Sequence, residues 1–175
     1  GDTVVVGARG VNTQTGAAYV FRTTDGWSTY TEIELTASDG ASPDVFGISV
    51  AIDGSTVVVG AYCDDDAGTD SGSAYAFRTT DGWDTYAEVA KLTATDGAYE
   101  DLFGQSVAIY GSTVVVGASQ SRKLALGLCP ANDCSGAAYL FRTQDEGATY
   151  GQMAKLTATD AAAADGFGWS VAFDS

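Results

Sequence analysis

The sequence predicts an all-β protein made of four-stranded antiparallel blades of the β-propeller type, three repeats in all. Three observations carry that prediction. Four motifs recur in the same order three times along the chain. Each copy holds four short runs rich in Val, Ile, Tyr, Phe and Thr, bounded by Gly, Asp or Ser, which is the composition of strands. No segment keeps a 3.6-residue apolar period, so helices are not expected.

The first motif, Gly1–Ala8 (GDTVVVGA), returns as Gly54–Ala61 and Gly111–Ala118 (both GSTVVVGA). Its three consecutive valines predict a strand buried on both faces. The second, Ala18–Thr23 (AYVFRT), returns as Ala74–Thr79 and Ala138–Thr143. The third, Glu34–Ala37 (ELTA), returns as Lys91–Ala94 and Lys155–Ala158. The fourth, Phe46–Ala51 (FGISVA), returns as Phe103–Ala108 and Phe167–Ala172. Between the fourth motif and the next first motif stands Asp53-Gly54, a strong hairpin signal. The copies divide the chain at 1–53, 54–110 and 111–175. A four-stranded unit of about 50–60 residues has the size of a propeller blade, whereas solenoid repeats are usually shorter.

Composition limits the chemistry. Eight Lys and Arg face 23 Asp and Glu, a formal net charge of -15, and there is no histidine among the 175 residues. An acidic chain has no electrostatic footprint for nucleic acid or an anionic membrane. Without His there is no Ser-His-Asp triad, Cys-His dyad or His-ligated zinc. No apolar run approaches the roughly 20 residues that span a bilayer, so membrane insertion is not expected.

The paired Phe-Gly and Gly-Ala motifs resemble FG-GAP repeats, the blades of the integrin α-chain propeller and of many secreted proteins. Phe46-Gly47 with Gly60-Ala61 and Phe103-Gly104 with Gly117-Ala118 carry the resemblance, and Gly7-Ala8 and Phe167-Gly168 are unpaired halves. Arg9, Tyr62 and Ser119 stand where the family has proline. The resemblance implies that a blade begins at its Phe-Gly strand. Thr3–Ser38 then supplies strands two to four of one blade, and Phe167–Asp174 supplies a first strand with nothing to pair it. Three blades fall short of the roughly 4–8 that close a propeller. Either a longer chain completes the ring, or copies complete one another by donating 167–174. Two chains would then give a six-bladed ring and an open series a filament.

The clearest candidate site is Cys63–Gly72, where Asp64, Asp66 and Asp70 alternate around Gly68. Such spacing suits calcium, which takes six to eight oxygens in a glycine-bent loop. The family's own calcium loops lie between the Phe-Gly and Gly-Ala strands, and here that link is too short to hold one. Asp44, Asp101 and Asp165, and upstream Asp39, Asp96 and Asp160, recur in every copy. Recurrence favours turn capping over catalysis. Arg22, Arg78 and Arg142, and Lys91 and Lys155, are likewise locked to repeat positions and expected in structural pairs. Arg9, Asn12, Arg122 and Lys123 lie instead in the loop from a blade's second strand to its third, which varies in length and content. Variable loops on a rigid scaffold are where partners bind. Cys129 and Cys134 are spaced to close a small disulfide loop, and Cys63 is left over. A disulfide and an acidic surface fit an extracellular setting.

The leading expectation is therefore a non-enzymatic extracellular propeller segment for adhesion or structural assembly. A carbohydrate-binding module using Trp27, Trp83 or Trp169 is the alternative, through stacking of aromatic faces on sugar rings. A hydrolase with paired carboxylates comes third, since no acid pair stands out from the repeats.

Overall fold

A computed structural model describes residues 2–120, 123, 126–127, 129, 134–145 and 147–174. The strands are β1 (Asp2–Ala8), β2 (Ala17–Thr23), β3 (Thr31–Leu35), β4 (Ser49–Asp53), β5 (Thr56–Ala61), β6 (Ser73–Arg78), β7 (Ala87–Leu92), β8 (Phe103–Tyr110), β9 (Thr113–Ala118), β10 (Ala137–Arg142) and β11 (Gly151–Leu156). They form three antiparallel sheets in the orders β1-β2-β3, β4-β5-β6-β7 and β8-β9-β10-β11. One helical turn, Val11–Gln14, joins β1 to β2, and its Asn12 and Thr13 have left-handed φ values of 49° and 57°. Among the described residues no helix is long and apolar enough to cross a membrane.

Local sequence sets the hairpins. Asp53 pairs with Thr56 and Tyr110 with Thr113, which leaves Gly54-Ser55 and Gly111-Ser112 as two-residue turns. Both glycines have positive φ, 51° and 55°, a region that costs an L side chain energy. The β3 strand has five residues where β7 and β11 have six. The extra residue, Val89 or Met153, is accommodated as a bulge opposite β6 or β10, and the β2–β3 pair has no register shift.

The core lies between sheets. One cluster joins the first two sheets through Val20, Leu35, Phe46, Val57, Val59, Tyr75 and Phe77. The other joins the second and third through Val58, Leu92, Phe103, Val114, Val116, Tyr139 and Phe141. Phe46 meets Tyr75 and Phe77 edge-on at 5.5 and 5.9 Å, and Phe103 meets Tyr139 and Phe141 at 5.5 and 5.8 Å. The stacking of blades is thus what buries apolar area, the main favourable contribution to folding.

Two expectations need correction. The valine run is buried on both faces in β5 and β9, but Val4 and Val6 of β1 are 44% and 45% exposed. Val57 and Val59, at the same repeat positions, are covered by the first sheet; among the described residues no sheet covers Val4 and Val6. Phe167–Asp174 was expected as a first strand; Phe167 bridges to Gly136, and among the described residues no strand runs beyond it.

Candidate functional site

Each loop from a blade's second strand to its third lies against the linker that leads to the next blade. The Val45 and Phe46 amides donate to the Gln14 and Thr15 carbonyls at 2.8 and 3.0 Å. Glu100 and Phe103 donate likewise to Thr69 and Ser71 at 2.8 and 3.0 Å, and Ala164 and Phe167 to Cys134 and Ser135 at 3.1 and 2.7 Å. The recurring acid of each linker caps it. Asp44, Asp101 and Asp165 accept from the amides of Ala41, Ala98 and Ala162 at 2.6, 2.8 and 2.7 Å. This is the turn-capping role their recurrence predicts.

On this face the seam between the first two sheets holds the densest charge. The Lys91 ammonium lies 2.7 Å from Asp39, 3.1 Å from Asp64 and 2.6 Å from Asp66. It also sits 5.3 Å from the centre of the Tyr75 ring. Asp64 is buried and further accepts from the Ser73 and Tyr75 hydroxyls at 3.0 and 2.8 Å. Burial alone would lower the Lys91 pKa, but the hydrogen bonds it donates to Asp39, Asp66 and Asp64 outweigh it and hold the ammonium above its ordinary range. Burial, with the Asp64 charge and hydrogen bond, pushes the Tyr75 phenol up. The next seam repeats the plan more simply, with Lys155 2.7 Å from Asp96.

The backbone explains the paired motifs. At each seam the carbonyl of a Phe-Gly glycine lies against the Gly-Ala glycine of the preceding blade: Gly47 on Gly7, Gly104 on Gly60 and Gly168 on Gly117. A serine hydroxyl reaches the same oxygen, Ser49 to Gly104 at 2.7 Å and Ser106 to Gly168 at 2.8 Å. The model of the FG-GAP repeat family matches residues 30–77, 86–141 and 150–175. The chain belongs to the FG-GAP repeat family. No curated protein matches it.

Seen as FG-GAP blades, the residues predicted from sequence fall into three groups. Asp64 and Asp66 converge, but with Asp39 from the preceding linker, and the carboxylate oxygens of these three lie within 4.8 Å of one another. Asp70 takes another course: its amide donates to Asp65 at 2.7 Å and its carbonyl accepts from Leu102 at 3.1 Å. The Gly68 carbonyl accepts from Ser71 at 2.9 Å. A calcium ion would need the space that the Lys91 ammonium fills, so the four residues as arranged do not fit it. Nothing in the loop spacing identified Asp39, which is 52 positions from Lys91. Its signal was recurrence alongside a recurring lysine.

Among the loop residues, Arg9 and Asn12 are exposed. Lys123 is turned inward onto Asp101 at 2.5 Å, because that carboxylate is only 4% exposed and takes a counter-charge. Gln120 supplies Asp101 a further hydrogen bond at 2.8 Å. Arg122 lies outside the described residues. Cys129 and Cys134 are joined in a disulfide with Cα atoms 5.6 Å apart, and Cys63 is buried outside it. Trp83 packs in the first seam, 6.3 Å from Tyr86 and under the Arg22 guanidinium at 5.6 Å, while Trp27 and Trp169 are 42% and 61% exposed.

A recurring device below the opposite edge was hidden behind its aromatic residue. In Thr79–Thr85 the Asp81 carboxylate accepts from the hydroxyls of Thr79 and Thr85 and from the amides of Asp84 and Thr85. Asp25 and Asp145 organise the same turn with Thr23 and Thr29, and with Thr143 and Thr149. The Thr29 amide and hydroxyl and the Thr23 hydroxyl lower Asp25 to about 2, and Asp81 and Asp145 are also held below the usual range. A depressed carboxyl contributes stability above its unfolded pKa of about 4 and loses it as pH falls through the folded value. Urea midpoints are therefore expected to fall between pH 5 and pH 2.5. The D25N/D81N/D145N variant should show a distinctly shallower fall, and an unchanged slope would refute the assignment.

Proposed function

We propose that the chain is a non-enzymatic extracellular β-propeller segment for adhesion or structural assembly, binding a protein partner through its variable loops. FG-GAP repeats are typical of extracellular domains. One observation carries the reading: the acids and lysines that recur from blade to blade, Asp160 apart, are committed to internal contacts. Asp39 and Asp96 hold Lys91 and Lys155, Asp44, Asp101 and Asp165 cap linkers, and Asp25, Asp81 and Asp145 organise turns. Among the described residues no recurring carboxylate is left as an acid–base pair, and the loops beside the linkers vary in length and content from blade to blade. Calcium has no separate place in this reading, because Lys91 supplies the cation among Asp39, Asp64 and Asp66.

Adhesion of cells to a surface coated with the chain tests the proposal. The R9A/N12A variant is expected to lose most of the adhesion, and W27A and W169A to keep it. A glycan array run beside it decides the alternative. A bound glycan lost in W27A or W169A would establish the carbohydrate-binding module instead. Turnover of chromogenic glycosides would establish the hydrolase.

A further inference from the structure

We propose that a cleft at the seam between the second and third sheets binds a planar aromatic ring of indole size, stacked on the Arg78 guanidinium. The cleft lies beside the turns Gly54-Ser55 and Gly111-Ser112, on the edge opposite the variable loops, so the inference is independent of the adhesion reading.

The first seam supplies the template. Arg22 of the first blade reaches over the Trp83 ring of the second, 5.6 Å from its centre, and donates to the Gly82 carbonyl at 3.1 Å. Tyr86 meets the same indole edge-on at 6.3 Å. A guanidinium stacked on an indole is a favourable contact. The second seam repeats these partners, with Arg78 for Arg22 and Tyr150 for Tyr86, but Gly147 stands where Trp83 does. The arginine and the tyrosine are kept and the ring between them is not.

The geometry places the seat of that ring against Arg78. A Cβ built on Gly147 would lie 3.6 Å from the Arg78 Cδ and 3.4 Å from the Tyr150 hydroxyl, both ordinary contacts. A group at this position thus starts along the arginine stem, whose Nε donates to the Ser55 hydroxyl at 3.5 Å. Arg78, Gly147 and Tyr150 line a cleft of about 310 Å³, at the small end of ligand sites. Thr56 and Ser112 line it too, and a hydroxyl there can accept an indole N–H. The stack uses the face of the guanidinium and leaves its hydrogen-bonding edge to the contacts it already has. The first seam also opens a cleft, but there Trp83 is itself part of the wall.

Backbone strain shows what the stack contributes. Trp27, Trp83 and Gly147 hold one repeat position, with φ of 70°, 85° and 94°. Glycine takes this left-handed region freely, and a bulky side chain takes it at a cost. Tryptophan persists there only where packing offsets the strain, and Trp83 has Arg22 and Tyr86 for that. A ring brought to the second seam by a ligand gains the same stack with no strain to offset. A free indole compound and the tryptophan side chain of a partner offer the same ring, and the experiment separates them.

Titration of the isotope-labelled chain with indole, followed by amide chemical shifts, decides it. Indole is expected to move the Gly147, Ser112 and Thr56 amides with a dissociation constant of about a millimolar, the range of a small ring in an open cleft. N-acetyltryptophanamide binding at least as tightly would assign the seat to a tryptophan side chain, and indole binding alone to a free ring. G147W carries its own ring into the seat at a φ that Trp83 already adopts, so its circular dichroism should match the parent while the Ser112 and Thr56 shifts are lost. R78M keeps the apolar stem and should weaken binding about fivefold, the scale of one cation–π contact. Unmoved amides with both ligands at ten times the expected constant would overturn the proposal, as would binding undiminished in G147W and R78M. Equal shifts with cyclohexanol would overturn the stack. Loss of adhesion in R9A/N12A leaves these titrations unchanged, which separates this test from the previous one.

Discussion

Gly60→Ala is expected to destabilise the chain by at least about 3 kcal/mol, since overpacking here cannot relax by rotating a side chain. A Cβ at Gly60 would lie 1.9 Å from the Gly104 carbonyl oxygen and 2.3 Å from the Ser49 hydroxyl. The obstructing oxygen is backbone, and it already accepts the Ser49 hydroxyl at 2.7 Å. Relief would require the second and third sheets to separate, exposing the cluster built on Phe103, Tyr139 and Val114. For a chain of this size the loss corresponds to a melting temperature lower by roughly 6–12 °C. Gly10→Ala is the matched control: an added Cβ there meets nothing within 4 Å, so its change should stay within about 0.5 kcal/mol. Equal melting of the Gly60→Ala variant and the parent would show that the blades do not stack through the Gly-Ala glycine.

Much of this architecture was legible in the sequence, and what was missed was missed for a common reason. Repetition exposes whatever each blade does within itself. The Asp53-Gly54 hairpin and the linker-capping acids are local, and each takes the form its residues predict. Contacts across a seam have no such signature. Gly60 is only a letter of the recurring Gly-Ala motif until the Gly104 carbonyl is seen against it, and the motif of the family is in effect a record of that approach. Val4 and Val57 share a sequence context, yet one is 44% exposed and the other 0%, because burial depends on the neighbouring sheet. The acidic loop suffered in the same way. Spacing grouped Asp70 with Asp64 and Asp66, whereas folding brings Asp39 across the seam and fills the centre with Lys91. Lys123 looked available because its loop varies, and a buried Asp101 claims it.

That filled centre carries the last prediction. Lys91→Met keeps most of the apolar stem and removes the charge, so its effect isolates the ammonium. Asp64, with its side chain 6% exposed, then keeps the Ser73 and Tyr75 hydroxyls but has no cation within the cluster. Breaking one side of a buried pair costs about 3 kcal/mol, because an uncompensated charge is left in place. Lys155→Met is the comparison: its lysine and Asp96 are 38% and 49% exposed, and the loss there should be under about 1 kcal/mol. A raised lysine contributes stability that is complete below its unfolded value of about 10.4 and fades only as pH rises through the folded one, so the parent should be insensitive to Lys91 near neutrality. Calcium gives a further readout. The Asp39, Asp64 and Asp66 oxygens span 4.8 Å, and in the Lys91→Met variant millimolar calcium should raise the melting temperature while leaving the parent unmoved. A parent that responds as strongly as the variant would mean that the ammonium does not hold the place of an ion.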